Sequence, residues 1–105
     1  MIPANLEECF VTLSKELNVL QIGLIKTLPE SKMISLHRTL GLKIRNDWGL
    51  WTNSKLKNYF NEVGITHPDD MSSIIITSFW RRLNNLPINF DEQVQFYKDE
   101  WAKIK

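Results

Sequence analysis

Residues 68–84, Pro-Asp-Asp-Met-Ser-Ser-Ile-Ile-Ile-Thr-Ser-Phe-Trp-Arg-Arg-Leu-Asn, decide the fold of this chain. Wound as a helix, this stretch places apolar side chains over more than half of its circumference, and only Ser73, Thr77 and Arg81 form a polar strip. A helix that is apolar on most of its surface is packed on two sides. The run Ile74–Ile76 could also form a strand, but the length and a capping box at residues 66–69 favour a helix. We therefore predict a central helix near 68–84.

The segments on either side of this stretch carry one-sided helical patterns. Leu6, Phe10, Leu13, Leu17 and Leu20 follow one another at alternating spacings of four and three residues, which is typical of an amphipathic helix. Residues 21–29 contain Gly23 and show no clear period, so we predict an irregular segment there. Further helices are expected near residues 29–48, 54–63 and 89–104. The pattern predicts an all-α fold in which residues 1–105 form one compact domain of about five helices.

Size and composition describe an ordinary globular domain. The 105 residues are 43 % hydrophobic and 24 % charged, and the formal net charge is +1. This charge is too small for a nucleic-acid partner, and we also expect no membrane association. The single cysteine, Cys9, excludes an internal disulfide and is expected to be a small buried side chain. The N-terminus lacks the features of a signal peptide, which favours a cytoplasmic location.

Two short blocks concentrate the residue types that carry chemistry. They are Ile44–Trp51, with the sequence Ile-Arg-Asn-Asp-Trp-Gly-Leu-Trp, and His67–Ser72, with the sequence His-Pro-Asp-Asp-Met-Ser. From these blocks and two flanking positions we select eight candidate binding residues: His37, Arg45, Trp48, Trp51, His67, Asp69, Asp70 and Arg82.

Several of these candidates also have a purely structural interpretation. Asp69 and Asp70 fall in the first turn of the predicted central helix, where carboxylates are stabilising. His37 lies on an apolar face and is expected to be a buried histidine with one good hydrogen bond, and Trp48 is expected in the core. Arg82 either extends to water or meets a carboxylate such as Asp47 or Asp70, and the sequence leaves both options open.

Neither a metal site nor a catalytic set is complete in the sequence. His37, His67, Asp69 and Asp70 have suitable ligand atoms, but no His-x-x-x-His or His-x-x-Glu spacing places two ligands on one helical face. No nucleophile, oxyanion site or phosphate cradle accompanies them. We therefore expect no metal, no cofactor and no enzymatic activity.

The two blocks also resemble a family. Together with Leu40-Gly41 and Tyr59-Phe60, they are similar to a small bacterial domain family of unknown function, and the resemblance extends over roughly residues 5–101. The family has no assigned chemistry, so no catalytic role is implied. Its small stand-alone domains imply an interaction or immunity role by analogy only.

Two functions remain open at this point. The first is a non-enzymatic protein-interaction domain, an immunity or regulatory partner in a bacterial system, that binds an unidentified protein as a monomer or small homo-oligomer. The alternative is a small-ligand or anion-sensing domain in which His37, Arg45, His67 and Arg82 surround one pocket, because arginines and helix N-termini bind anions.

Overall fold

The helix predicted at the centre is present and buried. In a computed structural model, which describes residues 2–104, the helix α5 spans Pro68–Leu83. All three isoleucines of Ile74–Ile76 are buried within it, as are Met71 and Phe79. Helices from both sides of α5 in the sequence pack against it. The prediction of a central apolar helix near 68–84 is therefore confirmed.

Seven helices, rather than about five, make up the described part of the chain. They are α1 (Leu6–Glu16), α2 (Val19–Thr27), a 3₁₀ helix (Glu30–Arg38), α3 (Leu40–Asp47), α4 (Lys55–Glu62), α5 and α6 (Phe90–Ala102). Residues 2–104 contain no β-strand, so the all-α prediction is confirmed. The Cα radius of gyration is 13.2 Å, which is that of a compact domain of about 100 residues.

The prediction of an irregular segment after Leu20 is wrong, because α2 occupies Val19–Thr27. Its start is fixed by a capping box in which the Asn18 side chain accepts a hydrogen bond from the Gln21 amide at 2.8 Å. The Gln21 side chain in turn accepts from the Asn18 amide at 2.9 Å. These two bonds satisfy free amides at the helix start and outweigh the cost of Gly23. The first helix correspondingly ends at Glu16, and Leu20 belongs to α2.

The single helix predicted over residues 29–48 is also wrong. The chain forms the 3₁₀ helix Glu30–Arg38, turns at Thr39 with φ −104° and ψ −86°, and then continues as α3. Ile34, which the continuous pattern placed on the buried face, is exposed. The break frees the backbone carbonyl of His37 from helical hydrogen bonding, and this carbonyl accepts a bond from the Arg45 side chain instead.

The later boundaries agree with the sequence pattern. Ser54 caps α4 by accepting a hydrogen bond from the Lys57 amide. Gly64 follows this helix with φ +90°, a left-handed conformation that glycine adopts without strain. Further along, the Trp80 indole donates a 2.7 Å hydrogen bond to the Leu28 carbonyl and ties α5 to the end of α2.

The core lies around α5 and contains side chains from every α-helix. Cys9 is part of it, as expected, and burial raises the pKa of its thiol well above the ordinary range. None of the helices formed by residues 2–104 is long and apolar enough to cross a lipid bilayer.

If α5 is the packed centre, the same small substitution should destabilise the fold more in α5 than at an exposed position. Ile75→Val removes a methylene from a fully buried site and should lower the free energy of unfolding by about 0.5–1.5 kcal/mol in urea denaturation. Ile34→Val makes the same change at a side chain that is 78 % exposed and should have almost no effect. Equal losses at the two positions would show that α5 is not the packed centre.

Candidate functional site

Arg45 is a buried cation that joins three elements. Its residue is only 5 % exposed, and burying a charge is costly unless partners surround it. Nη1 donates to the Ser72 hydroxyl at 2.8 Å, and Nη2 donates to the His37 carbonyl at 3.2 Å. Nε lies 3.4 Å from Oδ1 of Asp69, an ion pair without hydrogen-bond geometry. We call Arg45, His37, Asp69 and Ser72 the Arg45 cluster. It holds the 3₁₀ helix, α3 and the start of α5 together.

Two residues that the sequence did not identify as site residues make this cluster possible. A Cβ atom at Gly41 would lie 3.0 Å from Nη1 of Arg45, so glycine leaves the space that the guanidinium occupies. The backbone carbonyl oxygen of Leu36 would be the next nearest atom, at 3.5 Å. Ser72 accepts from Arg45 and donates to the Asp69 carbonyl at 3.1 Å. The available signals were a glycine inside a helix and a serine on an apolar helical face.

His37 is half-buried rather than fully buried. Its Nδ1 lies 3.4 Å from Nη1 of Arg45, and its Nε2 lies 3.9 Å from Oδ1 of Asp69. The expected single good hydrogen bond of the ring is therefore replaced by two longer contacts. The backbone carbonyl of His37 makes the shorter contact with Arg45. The ring lies at the rim of the cluster, where water reaches it.

The two tryptophans of the first block have different environments. Trp48 is buried in the core, as the sequence indicated. Trp51 is exposed, and its indole donates a 3.0 Å hydrogen bond to the Asn46 side chain. The guanidinium carbon of Arg45 lies 6.0 Å from the centre of the Trp51 ring, at the outer limit of a cation–π contact. Trp51 thus lies beside the Arg45 cluster.

His67 and Asp70 lie in a second place, beside α6. The His67 ring stacks on Trp101 with centroids 3.7 Å apart and planes inclined by 14°. The Trp101 indole donates a 2.7 Å hydrogen bond to Oδ2 of Asp70. Together with Lys98 these three side chains line a pocket of about 490 Å³. The sequence pattern did not identify Trp101 as a site residue.

The start of α5 differs in detail from the prediction. The capping box at residues 66–69 is not formed, because His67 rather than Thr66 is the N-cap and its side chain makes no capping hydrogen bond. Asp69 and Asp70 do occupy the first turn, where they face the positive end of the helix dipole.

Arg82 lies in a third place. It donates two hydrogen bonds to the carboxylate of Glu7 on α1, and its guanidinium carbon lies 4.8 Å from the centre of the Phe10 ring. Neither of the carboxylates considered from sequence, Asp47 and Asp70, is its partner. The hydrogen bonds from Arg82 lower the pKa of Glu7.

The four side chains required for a shared anion pocket, His37, Arg45, His67 and Arg82, are therefore not brought together. They lie in three separate places, and the donors of Arg45 and Arg82 contact groups of the chain itself. Within residues 2–104, no group of three or more His, Cys, Asp or Glu side chains is placed to hold a metal ion.

A different surface has the shape of a binding site. An apolar groove of about 580 Å³ runs between the end of α1, α2, the 3₁₀ helix and the start of α3. We call it the apolar groove; its lining residues are Glu16, Leu17, Gln21, Leu24, Ile25, Thr27, Leu28, Leu36, Thr39, Leu40 and Lys43. Glu16 and Lys43 are the only ionisable residues among them. One of its walls is α2, the segment for which the sequence pattern predicted irregular structure.

A substitution at Arg45 tests whether the cluster depends on the shape of the guanidinium group and not only on its positive charge. Arg45→Lys keeps the charge, but a single ammonium cannot reach Ser72, Asp69 and the His37 carbonyl together. We expect the free energy of unfolding to fall by about 1.5–3 kcal/mol, the value of a hydrogen bond to a charged group. Urea denaturation followed by tryptophan fluorescence measures this. Arg38→Lys, the same change at an exposed position of the 3₁₀ helix, is the control, and an equal loss there would contradict the assigned role.

Comparison with known proteins identifies the family to which this chain belongs. No curated protein and no solved structure matches the chain. The model of the family described as "Domain of unknown function (DUF6794)" matches residues 2–83, which include both sequence blocks, the Arg45 cluster and the apolar groove, and end before α6. Because the match extends over more than half of the chain, this protein belongs to the DUF6794 family.

Proposed function

We propose that this chain is a non-enzymatic protein-interaction domain and that the apolar groove receives an amphipathic helix of a partner protein. The groove itself carries the proposal. Leu17, Leu28, Leu36 and Leu40 pack against the core with one side and remain partly exposed on the other. A cluster of apolar side chains that remains exposed to water is typical of a protein contact site.

The chemistry of the groove favours a helix over a small polar ligand. Small-ligand sites place a few polar groups inward to fix the orientation of the ligand. In this groove the walls are mainly aliphatic, and the two charged residues, Glu16 and Lys43, have opposite signs. A helix with apolar residues at positions i, i+3 or i+4 and i+7 would fill such a groove.

The positions of the ionisable side chains also favour a binding role over a catalytic one. The ionisable side chains of the two sequence blocks do not line the groove, and Arg45, Asp69 and Asp70 hold helices together. A domain of this kind works by occupying a surface of its partner, as regulatory and immunity proteins do. We also propose a cytoplasmic location.

Site-specific photo-crosslinking tests the groove. A benzophenone amino acid in place of Leu36 should crosslink a partner protein in cell extract through a helical segment, which mass spectrometry of the crosslinked peptides identifies. Adding Leu40→Gln to the same chain should abolish this product, because a polar group in the groove removes apolar contact.

Phe96 provides the matched control, because it is an exposed apolar residue on α6, away from the groove. The same probe at Phe96 should not capture the partner. Identical products from both positions, or a product that persists with Leu40→Gln in a chain that retains its helical circular dichroism, would overturn the proposal.

A further inference from the structure

A pocket between the start of α5 and the end of α6 lies apart from the apolar groove and shares no residue with it. Its volume of about 490 Å³ is in the range of small-molecule sites in proteins. His67 and Asp70, from the second sequence block, contribute to its lining, as do Lys98 and Trp101 from α6. The proposed protein contact at the groove therefore leaves this pocket free to bind a different molecule.

Two opposite charges line the pocket without neutralising each other. The Lys98 ammonium and the Asp70 carboxylate both belong to its lining, yet neither side chain forms an ion pair within residues 2–104. Their charged atoms are therefore more than 4.0 Å apart. An ammonium has three donors and a carboxylate accepts several hydrogen bonds, so both groups have unused capacity. The pocket presents one positive and one negative group to a ligand.

Contacts within the chain hold both charged groups in place. The Lys98 side chain lies across Gly64, where a Cβ atom would lie 3.2 Å from its Cε and 3.3 Å from its Cδ and Nζ. The Trp101 indole donates a 2.7 Å hydrogen bond to Oδ2 of Asp70, which orients the carboxylate and leaves Oδ1 for another donor. Groups that are positioned before a ligand arrives lose less entropy when it binds.

The rest of the pocket offers mainly apolar surface. The His67 and Trp101 rings form a stacked pair, and Ile65, Ala102 and Ile104 add aliphatic groups. Small-ligand sites commonly combine such apolar walls with a few polar groups that fix the orientation of the ligand. A ligand that matches this pocket therefore carries an apolar part together with both charges.

We infer that the pocket binds a free α-amino acid with an apolar side chain. Such a molecule carries an ammonium and a carboxylate group on the same carbon atom as its side chain. Its carboxylate accepts from the Lys98 ammonium, its ammonium donates to Oδ1 of Asp70, and its side chain lies against the apolar groups. Hydrogen bonds between charged groups are stronger than neutral ones. A ligand with a single charge would leave either Lys98 or Asp70 without a partner.

The site depends on a part of the chain that the family model does not match. Lys98 and Trp101 follow residue 83, at which the match ends, whereas His67 and Asp70 lie within it. Amino-acid binding is therefore inferred for this chain and not for the family as a whole.

Isothermal titration calorimetry with L-leucine tests the inference, because an aliphatic side chain matches the aliphatic groups of the pocket. We expect a dissociation constant at or below about 1 mM. Leucinamide lacks the carboxylate and isocaproate lacks the ammonium, so each should bind at least about tenfold more weakly than L-leucine. L-Leucine should also raise the melting temperature, because it binds the folded chain and not the unfolded one.

Two substitutions assign each charge of the ligand to its partner. Lys98→Met keeps an unbranched side chain across Gly64 but removes the ammonium, so L-leucine and leucinamide should then bind about equally. Asp70→Asn removes the negative charge, so L-leucine and isocaproate should then bind about equally. Lys103→Met is the matched control, because Lys103 pairs with Glu100 and does not line the pocket. This variant should bind L-leucine as the wild-type chain does.

Absence of L-leucine binding at roughly 10 mM would overturn the inference. So would wild-type binding of either analogue as tightly as L-leucine, or unchanged L-leucine affinity in Lys98→Met or Asp70→Asn chains that retain their helical circular dichroism. Leu40→Gln, which should abolish the protein contact at the groove, should leave L-leucine binding unchanged. Failure of one proposal is therefore distinguishable from failure of the other.

Discussion

The need to bury α5 on nearly all sides determines how the rest of the chain is arranged. Its isoleucines and Phe79 leave no broad polar face that could lie against water, so helices from both sides of the sequence must surround it. Burial of large aliphatic side chains is the main stabilising contribution in a domain of this size. The outer helices are therefore supported to the extent that they contact α5. Only one residue of α2, Ile25, is buried, so α2 receives little of this support.

The two sequence blocks form the joint between α5 and the segment before it. Arg45 from the first block meets Asp69 and Ser72 from the second, and Gly41 leaves room for its guanidinium. A concentration of arginine, histidine and aspartate usually suggests a functional site. In this chain the same residues fix how α3 and the 3₁₀ helix meet the start of α5. The surface available to a partner protein is the aliphatic one around α2, where the structure leaves apolar groups exposed.

Features that depend on residues close together in the sequence could be predicted, whereas features that depend on distant residues could not. The α5 pattern and the helix near residues 54–63 are local, and both were predicted. The capping box of Asn18 is also local, but it was not recognised because residues 21–29 contain Gly23 and show no helical period. Partners far apart in the sequence were not predictable: Arg45 meets Ser72 across 27 residues, and Arg82 meets Glu7 across 75. No periodicity specifies such pairs. The apolar groove was missed for the same reason, since its walls come from four separate elements.

Native-state hydrogen exchange measures the central claim, that α5 is the most stable part of the fold. If the other helices depend on α5, the amides of Ile74, Ile75 and Ile76 exchange only when the whole domain unfolds, and their exchange free energies equal the global free energy of unfolding. The amides of α1 and α3 then exchange with equal or smaller free energies. Exchange of the three isoleucine amides through a local opening, while α1 or α3 stays protected to the global limit, would contradict this account.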